Sequence, residues 1–211
     1  MRLALAVCLL GCGSQAPSFN DRVLTVIASY PVGGHGGYAW PSRDGASGTT
    51  RDLRVGSEVI ARGGDGNHCV GMTFEVYWRV LESCGAGTAL DAASARAFRS
   101  RWYVPVAGGG GAAEALTLYQ RGTPIALADA QPGDFVQAWN AAGTVGHSMI
   151  FLGWNRDATG TPIAMRYWSS QPWTEGIGIS EMPLGDAGWD PAKIYIARAS
   201  CQPSEPDKES E

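Results

Sequence analysis

Cys69 has the surroundings of a reactive thiol. It lies in the run GNHCVG at residues 66–71, where a helical pattern with an apolar stripe begins. Unpaired backbone N–H groups and the helix dipole at such a start stabilise an anion, so they favour a thiolate. The flanking glycines allow a substrate backbone to approach closely. We predict that Cys69 is a nucleophile; the competing interpretation is a buried structural cysteine on an apolar helix face.

A thiol nucleophile needs a general base, and the chain offers three histidines. His68 directly precedes Cys69, and adjacent residues on a helix do not face each other. His35 lies in a glycine-rich loop whose position the sequence does not fix. His147 begins a predicted strand that we expect to pack against the helix of Cys69. His147 is therefore the predicted base, and a hydrogen-bonded core histidine is the alternative.

A third group is needed to orient the imidazole of such a pair. In the predicted strand RYWSSQ (166–171), Tyr167, Ser169 and Gln171 share a face because side chains alternate along a strand. If this strand pairs with that of His147, either Ser169 or Gln171 can contact the ring. Gln171 is preferred because it reaches further and carries an amide carbonyl, but both are candidates.

Metal and phosphate chemistry are the other uses of these residue types. A zinc site of His68, Cys69 and His147 is conceivable, but no Cys-x-x-Cys or His-x-x-x-His spacing supports it. The run GGHGG at 33–37 lacks the lysine and the strand–loop–helix order of a phosphate cradle. We therefore predict neither a metal nor another cofactor.

The elements that position these side chains follow from periodicity and turn residues. A helix is predicted over 69–84, because Met72, Val76 and Val80 form a stripe and Gly85 can end it. Helices first and an antiparallel meander after are typical of an α+β domain. The further predicted elements are a strand at 22–30, a loop at 31–50, an extended segment at 53–62, helices at 92–103 and 112–121, and strands at 134–139, 147–154, 163–171 and 193–199.

The composition bounds the class of protein. The 211 residues suit one domain, and 45% hydrophobic with 17% charged residues is typical of a folded globular chain. We place this domain at 23–202, with an acidic, disordered tail at 203–211, and expect a monomer. The net charge of −4 indicates no basic surface for nucleic acid, which we exclude as a partner.

The N-terminus has the features of an export signal. Met1-Arg2 is followed by an apolar run and then by the small residues GCGS at 11–14. The run LLGC at 9–12 resembles a bacterial lipobox, in which Cys12 is lipidated. We predict a leader at 1–12, a linker at 13–22, and a location in the periplasm or outer membrane as a lipoprotein, or secretion. Membrane attachment is expected only through this lipid anchor.

The cysteine count supports one free thiol. Without Cys8 and Cys12 of the leader, Cys69, Cys84 and Cys201 remain, and an odd number in an exported protein indicates an unpaired cysteine. Cys84 ends the predicted helix and Cys201 follows the last strand. They form either a disulfide that leaves Cys69 unpaired or two inert buried thiols.

Three segments resemble the NlpC family of bacterial cell-wall cysteine peptidases, within the papain-like superfamily. The run HCVG at 68–71, followed by Phe74 and Tyr77, is similar to that family's Asp-Cys-Ser-Gly helix start. The segment from Leu127 through QPGDFV at 131–136 resembles its Leu-x-Pro-Gly-Asp-Leu strand, and GHSMIFLG at 146–153 its His-Val-Gly-Ile-Tyr-Leu-Gly strand. The resemblance covers residues 66–171, with His68 and Val70 replacing the family's Asp and Ser.

The resemblance implies a papain-like fold with N-terminal helices packed on a central antiparallel sheet. It implies an exported cysteine peptidase or amidase that cleaves peptidoglycan stem peptides by the Cys69 thiolate and the His147 base. Alternatives are an inactive envelope-binding module of the same fold and a papain-like acyltransferase acting on lipid or protein. The substrate-binding candidates are Tyr38, Trp40, His68, Tyr167 and Trp173.

Overall fold

The protein is α+β, as predicted. A computed structural model describes residues 16–33, 36–42, 44–85, 90–104, 106–185 and 189–202. The helices are α1 (Phe19–Ala28), α2 (Cys69–Ser83), α3 (Ala92–Trp102) and α4 (Gly111–Leu118). The strands are β1 (Leu53–Val55), β2 (Glu58–Ala61), β3 (Gly122–Pro124), β4 (Phe135–Asn140), β5 (Gly146–Arg156), β6 (Pro162–Gln171), β7 (Gly176–Pro183) and β8 (Trp189–Ala199). The predicted leader with Cys12, His35 and the acidic tail at 203–211 lie outside the described residues.

The sheet is antiparallel, with strand order β3-β8-β4-β5-β6-β7, and the predicted extended segment at 53–62 is the separate hairpin β1–β2. The helix α2 packs on β5 and β6. One face of the sheet closes the core around α2, and the other carries a smaller apolar cluster that includes Met149, Phe151 and Tyr167. Within the described residues, no helix combines the length and the apolar character needed to cross a membrane.

The helix α1 corrects the strand predicted at 22–30. Ser18 accepts a hydrogen bond from the backbone of Asp21, and the Asp21 carboxylate accepts one from the backbone of Ser18, which is a complete capping box. Phe19, Val23 and Ile27 recur every four residues and are buried. The β-branched residues favoured a strand, but the cap and this spacing decide for a helix. Residues 19–22 of the predicted linker are therefore the first turn of α1.

Replacing Ser18 by alanine is expected to lower the free energy of unfolding by about 1 kcal/mol, because the capping acceptor is lost. Chemical denaturation followed by circular dichroism measures the change. Ser100→Ala is the matched control, since Ser100 is exposed inside α3. A loss in Ser18→Ala no larger than in this control contradicts the role of the cap.

The helix α2 is the centre of the core, and most of its residues are buried. Its aromatic side chains contact those of α3: the ring centroids of Tyr77 and Trp102 are 5.1 Å apart, and those of Phe74 and Trp102 are 5.6 Å apart. Edge and tilted contacts at these distances stabilise aromatic pairs beyond the area that they bury. This packing fixes the axis of α2, and with it the position of Cys69 at the first turn.

A disulfide joins Cys84, the C-cap of α2, to Cys201 after β8, with the Cα atoms 5.7 Å apart. The structure thus selects the disulfide of the two alternatives left by the cysteine count. Cys69 is the free cysteine of the described residues. The bond closes a sequence separation of 117 residues, so it ties the central helix to the end of the chain's last strand.

Asp134 of the Pro-Gly-Asp turn is a buried junction between three parts of the fold. Its carboxylate accepts hydrogen bonds from Nε and Nη2 of Arg198 on β8, both at 2.9 Å. It also accepts bonds from Asn20 Nδ2 of α1 and from the backbone N–H of Gln131, both at 2.8 Å. Gly133 has φ +96°, and a Cβ there would lie 2.8 Å from the Asn20 side chain. The turn motif is therefore explained by packing against α1.

Candidate active site

Cys69 is the first residue of α2, as predicted, and its side chain is only 7% exposed. The sulfur lies close to the backbone N–H groups of Ser148, Val70 and Cys69 itself, and these groups favour the thiolate. The last two belong to the helix start, where N–H groups have no intrahelical partner. The thiol is thus held between the N-terminus of α2 and the strand β5.

Burial changes the expected ionisation of Cys69. It raises the pKa of the thiol above its ordinary value, and the N–H groups that favour the thiolate offset this only in part. Desolvation disfavours the charged form of any buried acid. The prediction that the helix start favours a thiolate is therefore overridden, and in this conformation Cys69 is a neutral thiol.

His147 lies on β5, next to Ser148, and is 6% exposed. Its ring packs against Tyr167, Trp173 and Trp189, with centroid distances of 5.4, 5.8 and 6.4 Å. Burial lowers the pKa of the imidazole to about 4, and a polar contact with Gln171 partly offsets that shift. The imidazole is consequently neutral at physiological pH, which is the form that can accept a proton.

The pairing of β5 with β6 ends close to Cys69. The β5–β6 ladder ends at the pair Ile150↔Trp168, and beyond it Ser170 Oγ donates to Asn67 Oδ1 of the loop before α2. The Ser148 N–H lies beyond this last pair of the ladder, close to the Cys69 sulfur. A charge on Cys69 acts electrostatically on Tyr167, which packs on His147. Because side chains alternate along β5, His147 shares its sheet face with Met149, Phe151 and Tyr167, and no contact between its imidazole and the Cys69 sulfur is found among the described residues.

The structure separates the two candidates for the third group. Extending the register Ile150↔Trp168 by three residues sets Gln171 opposite His147, and the two side chains are in polar contact. Neither amide atom of Gln171, nor Nε2 of His147, has a partner of regular hydrogen-bond geometry among the described residues. Ser169 instead donates its hydroxyl to the backbone oxygen of Ser148 at 2.6 Å. Gln171, and not Ser169, contacts the imidazole.

Cys69 opens onto a cleft of about 450 Å³. Two of the predicted groove residues, Tyr38 and Trp40, line it together with Tyr103, Trp139 and the segment 144–146. Burial and the proximity of Cys69 raise the pKa of Tyr38 to about 12, so its hydroxyl stays a hydrogen-bond donor. The cleft joins aromatic faces with polar edges, a lining suited to a peptide chain.

The remaining predicted substrate-binding residues have other positions. His68 is the N-cap of α2 and is buried, with Nδ1 accepting the Gly71 N–H at 3.2 Å. Tyr167 packs on His147 from the neighbouring strand. Trp173 is exposed, lies over His147, and donates its indole N–H to Ser180 Oγ. His68 thus caps α2, while Tyr167 and Trp173 cover His147.

Three residues that the sequence analysis missed complete the site. Ser148 supplies the N–H to the sulfur, and its hydroxyl donates to Gln137 Oε1 at 2.5 Å. Asn67 anchors the loop before α2 through Ser170. A signal for Gln137 exists in the sequence, because it is the polar residue in the apolar run FVQAW of a predicted strand. Such a residue needs a buried hydrogen-bond partner.

Comparisons with known proteins identify no family for this chain. Neither protein-family models nor curated proteins nor solved structures match it significantly. Within the described part of the chain, no group of three or more His, Cys, Asp or Glu side chains is arranged to hold a metal ion. The functional argument therefore depends on the site geometry and on the sequence motifs.

Proposed function

We propose that the protein is an exported cysteine hydrolase of papain-like, NlpC-type architecture that cleaves amide bonds. One observation carries this proposal: the Cys69 sulfur lies at the start of α2, close to the Ser148 N–H beside His147, and opens onto an aromatic cleft. Nucleophile, base and a ring-contacting amide on Gln171 are the parts that thiol acyl transfer requires.

In this mechanism Cys69 and His147 are both neutral before the reaction begins, and they do not form a resting thiolate–imidazolium pair. The Cys69 sulfur attacks the amide carbonyl while its proton passes to the imidazole of His147. The backbone N–H groups of Cys69 and Val70 stabilise the tetrahedral oxyanion. The imidazolium then protonates the departing amine, which leaves a thioester. Water, deprotonated by His147, hydrolyses the thioester and restores the thiol.

The substrate that the motifs imply is a peptide of peptidoglycan. The export signal would bring the protein to the compartment where that polymer lies. The cleft of about 450 Å³ has room for a short peptide, and Tyr38 and Trp40 offer it aromatic faces. We infer that the stem peptide lies along these rings with its scissile carbonyl at Cys69.

The test is product analysis. Purified protein is incubated with peptidoglycan, and mass spectrometry looks for fragments that have gained one water and one new amino group. Appearance of such fragments, and their absence when the thiol is alkylated beforehand, supports the hydrolase. Fragments in which the acyl group has passed from the thioester to another amine or hydroxyl, without the gain of water, identify an acyltransferase instead.

A second candidate is an inactive binding module of the same fold. The observation that favours it is the burial that disfavours charge on both Cys69 and His147. This candidate predicts that the protein binds peptidoglycan in a sedimentation assay and releases no products. Binding with no amine release at any pH between 4 and 9 would establish it in place of the hydrolase.

The pH dependence of hydrolysis is expected to extend unusually far toward acid. The base must be neutral, and burial holds the pKa of His147 at about 4. kcat/KM should thus stay constant as the pH falls through 6.5, the ordinary value, and decline only near pH 4. Initial rates on a soluble peptide between pH 3.5 and 8 measure this profile. A midpoint near 6.5 contradicts a desolvated base.

The same pKa shifts demand a stability control in that experiment. His68 and His147 both have their pKa lowered by burial to about 4. Between pH 4 and 6.5 the unfolded chain binds protons that the folded chain does not. The free energy of unfolding therefore falls as the pH falls through this window. Circular dichroism at each pH separates unfolding from protonation of the base.

A further inference from the structure

A second cavity, also of about 450 Å³, lies next to the active-site cleft. We call it the arginine pocket; the residues that define it here are Arg62, Arg99, Ser47, Trp40, His68 and Tyr103. Trp40 and Tyr103 also line the cleft of Cys69. His68 lines the arginine pocket and the next residue, Cys69, lines the cleft, so the two cavities adjoin at the start of α2.

The charge of this pocket is positive. Its lining contains two arginines and no aspartate or glutamate. Arg99 uses Nη1 to donate to the Ile60 backbone oxygen at 2.6 Å and to Ser47 Oγ at 3.2 Å, while its Nε has no partner among the described residues. Its guanidinium lies 5.4 Å from the centroid of the Tyr103 ring. Arg99 is thus held in place, and its Nε–H remains available to donate a hydrogen bond to a ligand.

Arg62 is the more accessible of the two cations. It is exposed, and its side chain forms no ion pair with a described residue. The pKa of Asp52 is lowered mainly by the Gly63 N–H, then by Arg54, and last by Arg62. That carboxylate is already bonded to Arg54 at 2.7 Å and to the Gly63 N–H at 3.1 Å. Arg62 therefore retains its charge for a ligand.

Trp40 links the two cavities. Its side chain is 60% exposed, and its ring stands edge-on to His68, with the centroids 4.7 Å apart. An exposed indole at the border of two cavities offers an apolar face to whatever passes from one to the other. A substrate whose scissile carbonyl is at Cys69 can thus place a neighbouring side chain in the arginine pocket.

We propose that the arginine pocket binds a carboxylate of the substrate, so that the enzyme selects acidic peptides with this group adjacent to the scissile bond. Guanidinium groups bind carboxylates through paired, charge-assisted hydrogen bonds. The two arginines of the pocket can bind a carboxylate in this way because the lining contains no acidic residue that competes for them. That the bound peptide is a substrate rests on the proposed function. The binding preference itself does not require catalysis.

Binding to the Cys69→Ala protein tests the pocket without cleavage. The probes are two acetylated, amidated tripeptides, Ala-Glu-Ala and Ala-Gln-Ala, titrated while the chemical shifts of the protein are followed by NMR. The glutamate peptide should bind about tenfold more tightly or better. Arg62→Gln, which removes an exposed side chain, should bring the two affinities to near parity, and Arg99→Gln should do the same.

Arg96→Gln is the matched control. Arg96 lies on α3 outside the pocket and is paired with Glu58 at 2.7 Å, so its loss should leave the preference intact. Equal affinities of the two peptides, or a preference that survives Arg62→Gln, overturn the proposal. A preference for glutamate in a wild-type protein that cleaves nothing keeps the pocket and refutes the hydrolase. Cleavage without any such preference does the reverse.

Discussion

Replacing Cys69 by alanine is expected to lower the rate of amide hydrolysis by about a thousandfold or more. The variant lacks the atom that forms the thioester, and removal of a covalent nucleophile has effects of this size. Release of new amino groups from peptidoglycan, followed over time for both proteins at equal concentration, measures the ratio. Wild-type rates in the variant would falsify the nucleophile assignment.

Cys69→Ser sharpens that comparison. It keeps a hydrogen-bond acceptor between the N–H groups of Ser148 and Val70, so the local packing is preserved. The hydroxyl is far harder to deprotonate than a thiol and is a weaker nucleophile toward an amide. We expect this variant to be nearly as inactive as the alanine variant, which separates loss of chemistry from loss of structure.

Val80→Ala is the matched control for damage to α2. Val80 is fully buried in the same helix, and its side chain does not line the cleft. Its truncation should cost about 1–2 kcal/mol of stability and leave the catalytic rate of the folded fraction unchanged. If Val80→Ala were as inactive as Cys69→Ala, the loss in both would have to be assigned to the packing of α2.

Asp134→Ala is expected to lower the free energy of unfolding by roughly 3–5 kcal/mol, which is a large part of the stability of a domain of this size. The substitution leaves the guanidinium of Arg198 and the amide of Asn20 without their shared acceptor. Asp134 itself is fully buried, so its partners lose an acceptor inside the fold, although Arg198, whose side chain is 31% exposed, can turn to water instead. Guanidinium denaturation at neutral pH measures the change.

Asp134→Asn keeps one acceptor oxygen and removes the charge, so its effect should lie between those of wild type and Asp134→Ala. The control is Asp157→Ala, because Asp157 accepts bonds from Thr159 and Thr161 in an exposed turn. It should change stability far less. Comparable losses in Asp157→Ala and Asp134→Ala are the result that contradicts a special role for the buried junction.

The sequence predicts the central helix, and the position of Cys69 at its start, because several signals agree there. The apolar stripe, the terminal glycine and the position of Cys69 all match α2. The strands β4, β5, β6 and β8 also appear where alternation and turn residues predicted them. The edge strand β3 has only three residues and includes a proline, and β7 begins with the glycine-containing run GIGI, so neither carried a clear strand pattern.

Properties that depend on register and burial were beyond the sequence. Alternation placed Ser169 and Gln171 on one face, but only the pairing of β5 with β6 decides which of them meets His147. The neutral state of Cys69 has the same origin, because it depends on where the ladder between those strands opens. In α1 the cap at Ser18 outweighs the strand preference of the β-branched residues. Composition alone does not show which of these two effects is stronger.

The helix α2 also keeps Cys69 and Cys84 apart, which affects how the disulfide forms. Cys69 begins it and Cys84 caps its other end, with fifteen residues of helix from Cys69 through Ser83. At about 1.5 Å per residue the two cysteines are roughly 22 Å apart once the helix has formed, whereas a disulfide requires Cα atoms within about 7 Å. Early helix formation therefore forbids the short-range mispairing of Cys69 with Cys84. Cys84 is then left to pair with Cys201, and Cys69 remains a free thiol at its cleft.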